Sequence, residues 1–166
     1  MTQRMRVGQG FDIHPFSDDP DRTLMLGGVA FDGERALHGH SDADVIAHAV
    51  TDAILGAAGL GDIGSHFPDT DPALAGADSI ELLRAAMRDV HGAGWTVSNV
   101  DCSVVLEAPK LAPRREAMQR RLTDVVGAPV TVKGKRAEGL GALGRSEGIA
   151  CWAVALLTAA DAAESE

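Results

Sequence analysis

The sequence predicts an α/β (α+β) fold, a two-layer sandwich with a mixed, four-stranded-type sheet and helices on one face. Three observations lead there. Short apolar runs of strand length alternate with segments whose apolar residues recur at helical spacing. One run, Cys102-Ser103-Val104-Val105-Leu106, is apolar enough for a central strand covered on both faces. Glycines at 59, 92 and 127 stand where helices should stop. The 166 residues suit a single domain, expected over 1–158 and followed by a short acidic tail over 159–166.

The elements follow in order. A glycine-rich strand is expected over 6–12, and the glycine-broken run 24–31 reads as a hairpin or a pair of short strands. Ser41 is a candidate N-cap, with Asp44 at the acidic position of a capping box, for a helix that ends at Gly59. On that helix Ile46, Val50, Ala53 and Ala57 share one side, while Asp44, His48 and Asp52, spaced by four, share the opposite side. A second helix starts at Asp78 or Ser79 and buries Ile80, Leu83, Met87 and Val90. The segment 95–107 reads as a strand, 113–127 as a third helix and 130–133 as a strand. The apolar segment 149–157 fits a strand or a buried helix, with the strand favoured.

Composition narrows the function. The net charge is −9, and the densest basic stretch, 114–121, has no aromatic residue among its charges. It reads as a solvated helix face, so nucleic acid and membrane surfaces are poor partners. No apolar run has the length of a membrane span, and the N-terminal residues do not read as a secretory signal. Two cysteines, Cys102 and Cys151, sit in apolar runs without Cys-x-x-Cys spacing. They read as buried reduced thiols of a cytoplasmic protein.

The residues that carry chemistry begin with Asp12 and His14. Two apart on an extended segment, they project to one side. Adding His48 gives one carboxylate and two imidazoles, a set suited to Zn²⁺ with the fourth position open to substrate. Asp44 and Asp52, one turn either side of His48, are candidates for orienting its ring. His40 and Ser41 precede a helix N-terminus, where backbone N–H groups favour a phosphate. The loop Gly61-Asp62-Ile63-Gly64-Ser65-His66-Phe67-Pro68-Asp69-Thr70-Asp71-Pro72 can fold over a polyol, with Asp62 and Asp69 accepting from hydroxyls. Lys110, after a strand end, suits a phosphate. Backbone amides of the glycine-rich stretch 134–148, with Lys135 and Arg136, can grip a diphosphate, and Glu138 can hold a hard cation such as Mg²⁺.

Taken together, Gly8-Gln9-Gly10-Phe11-Asp12-Ile13-His14, His40-Ser41-Asp42-Ala43-Asp44, His48, Gly61-Asp62-Ile63-Gly64, Phe67-Pro68-Asp69-Thr70-Asp71-Pro72, Ala108-Pro109-Lys110 and Gly144-Arg145-Ser146-Glu147-Gly148 resemble the 2-C-methyl-D-erythritol 2,4-cyclodiphosphate synthases, in register over about 6–158. The resemblance implies a lyase of the non-mevalonate isoprenoid pathway. It converts 4-diphosphocytidyl-2-C-methyl-D-erythritol 2-phosphate to the cyclic diphosphate and CMP. It implies a homotrimer with active sites between subunits, Zn²⁺ at Asp12, His14 and His48, and Mg²⁺ or Mn²⁺ at Glu138.

Further contacts follow from the same resemblance. Asp12, Ile13, His14, His40 and Ser41 meet the substrate. Asp62, Ile63 and Gly64 meet the methylerythritol, and Phe67, Pro68, Asp69, Thr70 and Asp71 continue that loop. Leu106, Ala108, Pro109, Lys110, Leu111 and Ala112, with Gly134, Lys135, Arg136 and Ala137, meet the cytidine and its phosphates. His40 and Arg136 stand at positions that stabilise the transition state, and Ala142 and Arg145 at the central trimer cavity.

Two departures stand out. The family's Ala-Thr-Thr-Thr-Glu is Gly134-Lys135-Arg136-Ala137-Glu138 here, which puts an arginine in place of the threonine that touches phosphate. Ala142 stands where the family often has Phe. Two other readings fit the same residues: a metal-dependent phosphohydrolase using water, and a non-catalytic trimer that binds isoprenoid diphosphates through Arg145.

Overall fold

The computed structural model describes residues 4–160. Six strands and five helices form two layers. Strands β1 (Met5–Pro15), β6 (Gly148–Ala159), β4 (Trp95–Val105) and β5 (Val130–Lys135) make one sheet in the order β1-β6-β4-β5. Strand β6 runs antiparallel to both neighbours and β4 pairs parallel with β5, so the sheet is mixed as expected. The segment 149–157 is a strand. Strand β1 extends three residues beyond the expected end at Asp12, so His14 lies within the ladder, opposite Ile149. Strand β6 reaches Ala159, one residue into the expected tail; residues 161–166 of that tail lie outside the described residues.

Strands β2 (Leu24–Leu26) and β3 (Val29–Phe31) form the hairpin. Gly27 and Gly28, at φ 57° and 72°, make its two-residue turn, a backbone shape that favours glycine at both positions.

Helix α1 (Val45–Ala58) is enclosed by β1, β6 and α3 (Ser79–Gly92), and is buried on nearly every side. The polar side anticipated from the sequence is narrower than expected: Ile46, Val50, Ala53 and Ala57 are buried, but so are Ala47, Thr51 and Leu55, and within α1 His48, Asp52 and Gly56 alone reach the surface. The cap also differs. Asp44, rather than Ser41, is the N-cap, and its carboxylate accepts from the N–H groups of Ile46 and Ala47 at 3.1 and 3.0 Å. The same carboxylate accepts from Gly27 and Gly28 at 2.8 and 2.6 Å, which ties the hairpin turn to α1. Its complete burial pushes its pKa up.

A short turn, α2 (Ile63–His66), follows α1. A 3₁₀ turn at Ala112–Arg114 leads into α4 (Arg115–Val126), which starts two residues later than the sequence suggested. Helix α5 (Gly141–Gly144) is a single turn. Among the described residues no helix is long and apolar enough to cross a membrane. Cys102 and Cys151 are free and buried.

Candidate active site

The site starts from two glycines. Even-numbered residues of β1 face α1, and at Gly8 and Gly10 the helix backbone lies directly on the strand. A Cβ at Gly10 would stand 2.0 Å from the Ala49 carbonyl oxygen, and one at Gly8 2.1 Å from that of Ala53. Only glycine admits this approach. It brings His48, the residue before Ala49, over the end of β1, where Asp12 and His14 continue the same face.

The three side chains converge. Asp12 Oδ2 lies 2.9 Å from His14 Nε2 and 3.0 Å from His48 Nδ1, and the two ring nitrogens are 3.3 Å apart. One ligand atom from each of the three falls within 4.8 Å of the others, as a shared cation requires. The outer nitrogens of both rings have partners. His14 Nδ1 is 2.8 Å from the His38 carbonyl oxygen, which can only accept, so the N–H of His14 sits there and Nε2 turns a lone pair inward. His48 Nε2 faces the hydroxyls of Ser79 at 2.8 Å and Ser41 at 3.2 Å. Two imidazole nitrogens and a carboxylate aimed at one point are the donor set of a divalent transition metal.

Without a cation, protons on the inward ring nitrogens would pair with the same carboxylate, and the pKa shifts describe that metal-free state. Burial by itself would raise the Asp12 carboxyl, but hydrogen bonds and charge from His14 and His48 outweigh it and hold it at about 2, below its ordinary 3.8. Burial would lower the His14 imidazole, yet the Asp12 carboxylate carries the net shift upward.

Asp44 and Asp52 do not orient His48. Asp44 is spent on its four backbone N–H groups, and Asp52 accepts from Ile63 N–H at 3.2 Å. The groups that do touch the far nitrogen of His48 are Ser41 and Ser79, and behind Ser79 stands Asp42. Ser79 lies 31 residues beyond His48 in sequence, so no local periodicity could pair them. Arg22, also unforeseen, holds the loop under the site by donating to the carbonyls of Leu37 and Ser41 at 3.0 and 2.8 Å.

The cluster opens into a cleft of about 630 Å³ lined by His38, Gly39, His40 and Ser41 on one side and by Ile63, Gly64, Phe67, Pro68, Asp69 and Leu74 on the other. Of the N–H groups expected to be free at the α1 N-terminus, those of Ile46 and Ala47 are taken by Asp44. His40 nevertheless lines the cleft, its Nε2 on the Asp71 carbonyl at 2.9 Å. Of the 61–72 loop, Asp62 and Asp71 are spent as helix caps, accepting from Ser65 N–H and Ala73 N–H. Neither they nor Thr70 line the cleft.

A second hollow, of about 220 Å³, lies at the opposite edge of the sheet, where β4 and β5 end. Leu106, Pro109, Lys110, Leu111 and Ala112 form one wall, and Gly134, Lys135 and Arg136 the other. Ala108 and Ala137 do not line it, whereas Glu107 and Arg115, which the sequence did not single out, do. Glu107 accepts from the Ala137 N–H at 2.8 Å and lies 3.4 Å from the Nε of Arg136. Glu138 is exposed, held at a φ of 54°. Ala142 and Arg145 are also exposed, and Arg145 pairs with Glu147 at 2.7 Å. The two hollows share no residue, and three strand spacings, about 14 Å, separate the sheet edges that carry them.

Comparison with known proteins gives concordant results. The YgbB family profile matches residues 5–158. The chain is 56% identical over 160 residues to the 2-C-methyl-D-erythritol 2,4-cyclodiphosphate synthase of Bordetella avium, covering 95% of this chain and 98% of that one. It is 53% identical over 165 residues to that of Ralstonia pickettii, covering 98% and 97%. Among solved structures, the bifunctional IspDF from Campylobacter jejuni superposes with a TM-score of 0.90 at 40% identity, over 95% of this chain and 43% of that chain. A Plasmodium falciparum IspF in a CDP complex superposes with a TM-score of 0.82 at 34% identity, over 97% and 100%.

Proposed function

The chain belongs to the YgbB family, the 2-C-methyl-D-erythritol 2,4-cyclodiphosphate synthases, and from that premise we propose how its residues divide the reaction. The activity is an enzymatic cyclisation in the non-mevalonate isoprenoid pathway: 4-diphosphocytidyl-2-C-methyl-D-erythritol 2-phosphate gives 2-C-methyl-D-erythritol 2,4-cyclodiphosphate and CMP. The rival readings as a phosphohydrolase and as a non-catalytic binding trimer give way to that membership. An oxygen of the 2-phosphate attacks the β-phosphorus of the diphosphate, the bond from that phosphorus to the bridging oxygen breaks, and CMP leaves with that oxygen. No protein nucleophile is required. Well-oriented intramolecular reactions gain on the order of 7–11 kcal/mol from positioning.

Asp12, His14 and His48 would hold Zn²⁺, and Glu138 a second cation, Mg²⁺ or Mn²⁺. The single observation that carries the metal reading is the convergence of one carboxylate oxygen and two imidazole nitrogens on one point. An exposed carboxylate such as Glu138 suits a hard ion that keeps most of its waters and takes the rest of its ligands from phosphates. When bound, such ions supply positive charge to the phosphate oxygens and to the departing group. His40 and Ser41 face the phosphates in the cleft, Ile63, Gly64, Phe67, Pro68 and Asp69 enclose the methylerythritol, and Asp62, Thr70 and Asp71 shape that loop. Lys110, Lys135 and Arg136 take the nucleotide phosphates. Arg136 is 70% exposed and held to Glu107 by one 3.4 Å contact, so it is free to swing to the diphosphate.

The two hollows lie on opposite edges of one sheet, so one chain does not close a site over a single substrate. A homotrimer with sites between subunits resolves this. The sheet face away from the helices supports it: Met5, Val7, Phe11, Ile13, Trp152 and Val154 are exposed there, and the Phe11 and Trp152 rings are in contact, with centroids 4.9 Å apart. An apolar patch of this kind on a monomer marks an interface. Arg145 and Ala142 belong to the axial cavity in this reading. The cytidine pocket is the hollow at Lys110, in keeping with a relative of this fold having been solved as a CDP complex. ³¹P NMR of the products tests the assignment: the cyclic diphosphate plus CMP is expected, and an opened phosphate monoester would overturn it.

A further inference from the structure

Ser79 is the first residue of α3. It is fully buried, and the reaction gives it no task. Its backbone N–H donates to Asp42 Oδ2 at 3.1 Å, and its hydroxyl makes a short contact with Asp42 Oδ1. An ionised carboxylate only accepts, so the Ser79 proton goes to Asp42. The Ser79 oxygen then has only lone pairs to offer His48 Nε2, 2.8 Å away. That requires the ring proton of His48 on Nε2. Ser41 Oγ, 3.2 Å from the same nitrogen and already accepting from Ala43 N–H, is a second acceptor for that proton. With Nε2 protonated, Nδ1 keeps its lone pair, and Nδ1 is the atom 3.0 Å from Asp12 Oδ2.

We propose that Ser79 and Asp42 are positioning residues for the metal: a carboxylate–hydroxyl–imidazole chain that fixes the tautomer and ring angle of His48, so that Nδ1 faces the cation. The proposal rests on the reading of Asp12, His14 and His48 as metal ligands, and goes beyond it by naming what prepares one of them. It also makes the start of α3 part of the site. A hydrogen-bonded partner on the outer nitrogen raises ligand basicity, and loss of such partners costs about 10–100-fold in metal affinity.

The test compares Ser79→Ala, Ser79→Thr and Asp42→Asn with the wild type. Zn²⁺ affinity is measured by competition with a chromophoric chelator, and the His48 tautomer by ¹⁵N NMR of the metal-free proteins. Ser79→Ala should weaken Zn²⁺ binding about 10–100-fold and move the proton population between Nε2 and Nδ1. Ser79→Thr, which keeps the hydroxyl, should restore both. Asp42→Asn keeps shape and volume and should weaken binding in the same direction, which preserves the test if Ser79→Ala fails to fold. Wild-type affinity and an unmoved tautomer in Ser79→Ala, or in Asp42→Asn where Ser79→Ala does not fold, would overturn the proposal. A wild-type protein that binds no Zn²⁺ would instead overturn the metal reading beneath it.

Discussion

Replacing Gly10 with alanine tests how the sheet builds the site. The added Cβ would lie 2.0 Å from the Ala49 carbonyl oxygen and 2.6 Å from the Ala53 nitrogen, both backbone atoms that cannot rotate away. Ordinary contact begins near 3.4 Å, so the strand and α1 must separate by about 1.4 Å at that point. His48 is carried by the same turn of helix, and its Nδ1 now stands 3.0 Å from Asp12 Oδ2. Metal–ligand distances tolerate roughly ±0.2 Å, so a shift of that size removes His48 from the set. Overpacking of this kind costs about 1–3 kcal/mol, or roughly 2–12 °C in the melting temperature of a domain this size.

The assay is Zn²⁺ affinity by chelator competition, alongside thermal melting of the metal-free protein. Gly10→Ala should lose at least ~10-fold in affinity, the lower end of what disturbed outer contacts already cost. Gly56→Ala is the matched control. It lies on the same helix with nothing within 4 Å, so it should keep the affinity and gain up to about 1 kcal/mol of helix stability. A Gly10→Ala protein with wild-type affinity and melting temperature would refute the claim that close strand–helix approach sets the metal geometry.

Three further outcomes follow from the same structure. Asp12 is held at about 2 against its ordinary 3.8, so its contribution, roughly 2 kcal/mol, is complete above about pH 4 and is lost as pH falls through 2. His14 is shifted upward, so its contribution is present below about pH 6.5 and is lost as pH rises through its folded value. Melting temperatures of the metal-free protein should therefore peak between these limits, and an Asp12→Asn profile parallel to the wild type would contradict this. Arg136→Ala should lower both kcat and kcat/KM, by ~10²–10³ if it takes the contact the family gives to threonine. An unchanged kcat with a small rise in KM would leave it as the partner of Glu107. Val154→Asp, on the apolar outer face, should give a monomer by light scattering with its Zn²⁺ ligands intact, and a wild-type mass would remove that face from the interface.

Local chemistry was well signalled in the sequence. Glycine stops, the Gly27-Gly28 turn and strand-length apolar runs all correspond to observed elements, and Asp12 and His14 share a face because strand residues two apart must. Sequence spacing and structure part where tertiary contacts decide. Asp44 and Asp52 have the right helical spacing from His48, but their carboxylates reach backbone N–H groups of the β2–β3 turn, the first turn of α1 and α2 instead. Ser41 has the side chain of a cap, but it is Asp44 that accepts from the Ile46 and Ala47 N–H groups at the start of α1. Ser79, Arg22 and Glu107 act across 31, 15–19 and 30 residues respectively, and no repeat or spacing announces such pairs. The family resemblance supplied the grouping of the 106–112 and 134–137 segments, and the fold then showed them meeting in one hollow at the β5 edge.

The central claim is that a working site takes its metal half from one chain and its nucleotide half from another. Mixing two inactive variants tests it most directly. His48→Ala removes the β1-edge half and Glu138→Ala the β5-edge half. Each should be inactive alone in a CMP-release assay. After unfolding, mixing in equal amounts and refolding together, sites formed between the two intact halves should restore about one quarter of wild-type activity by random assortment around a ring. Activity no greater than that of the separate variants, in a mixture shown to have exchanged subunits, would contradict the shared site.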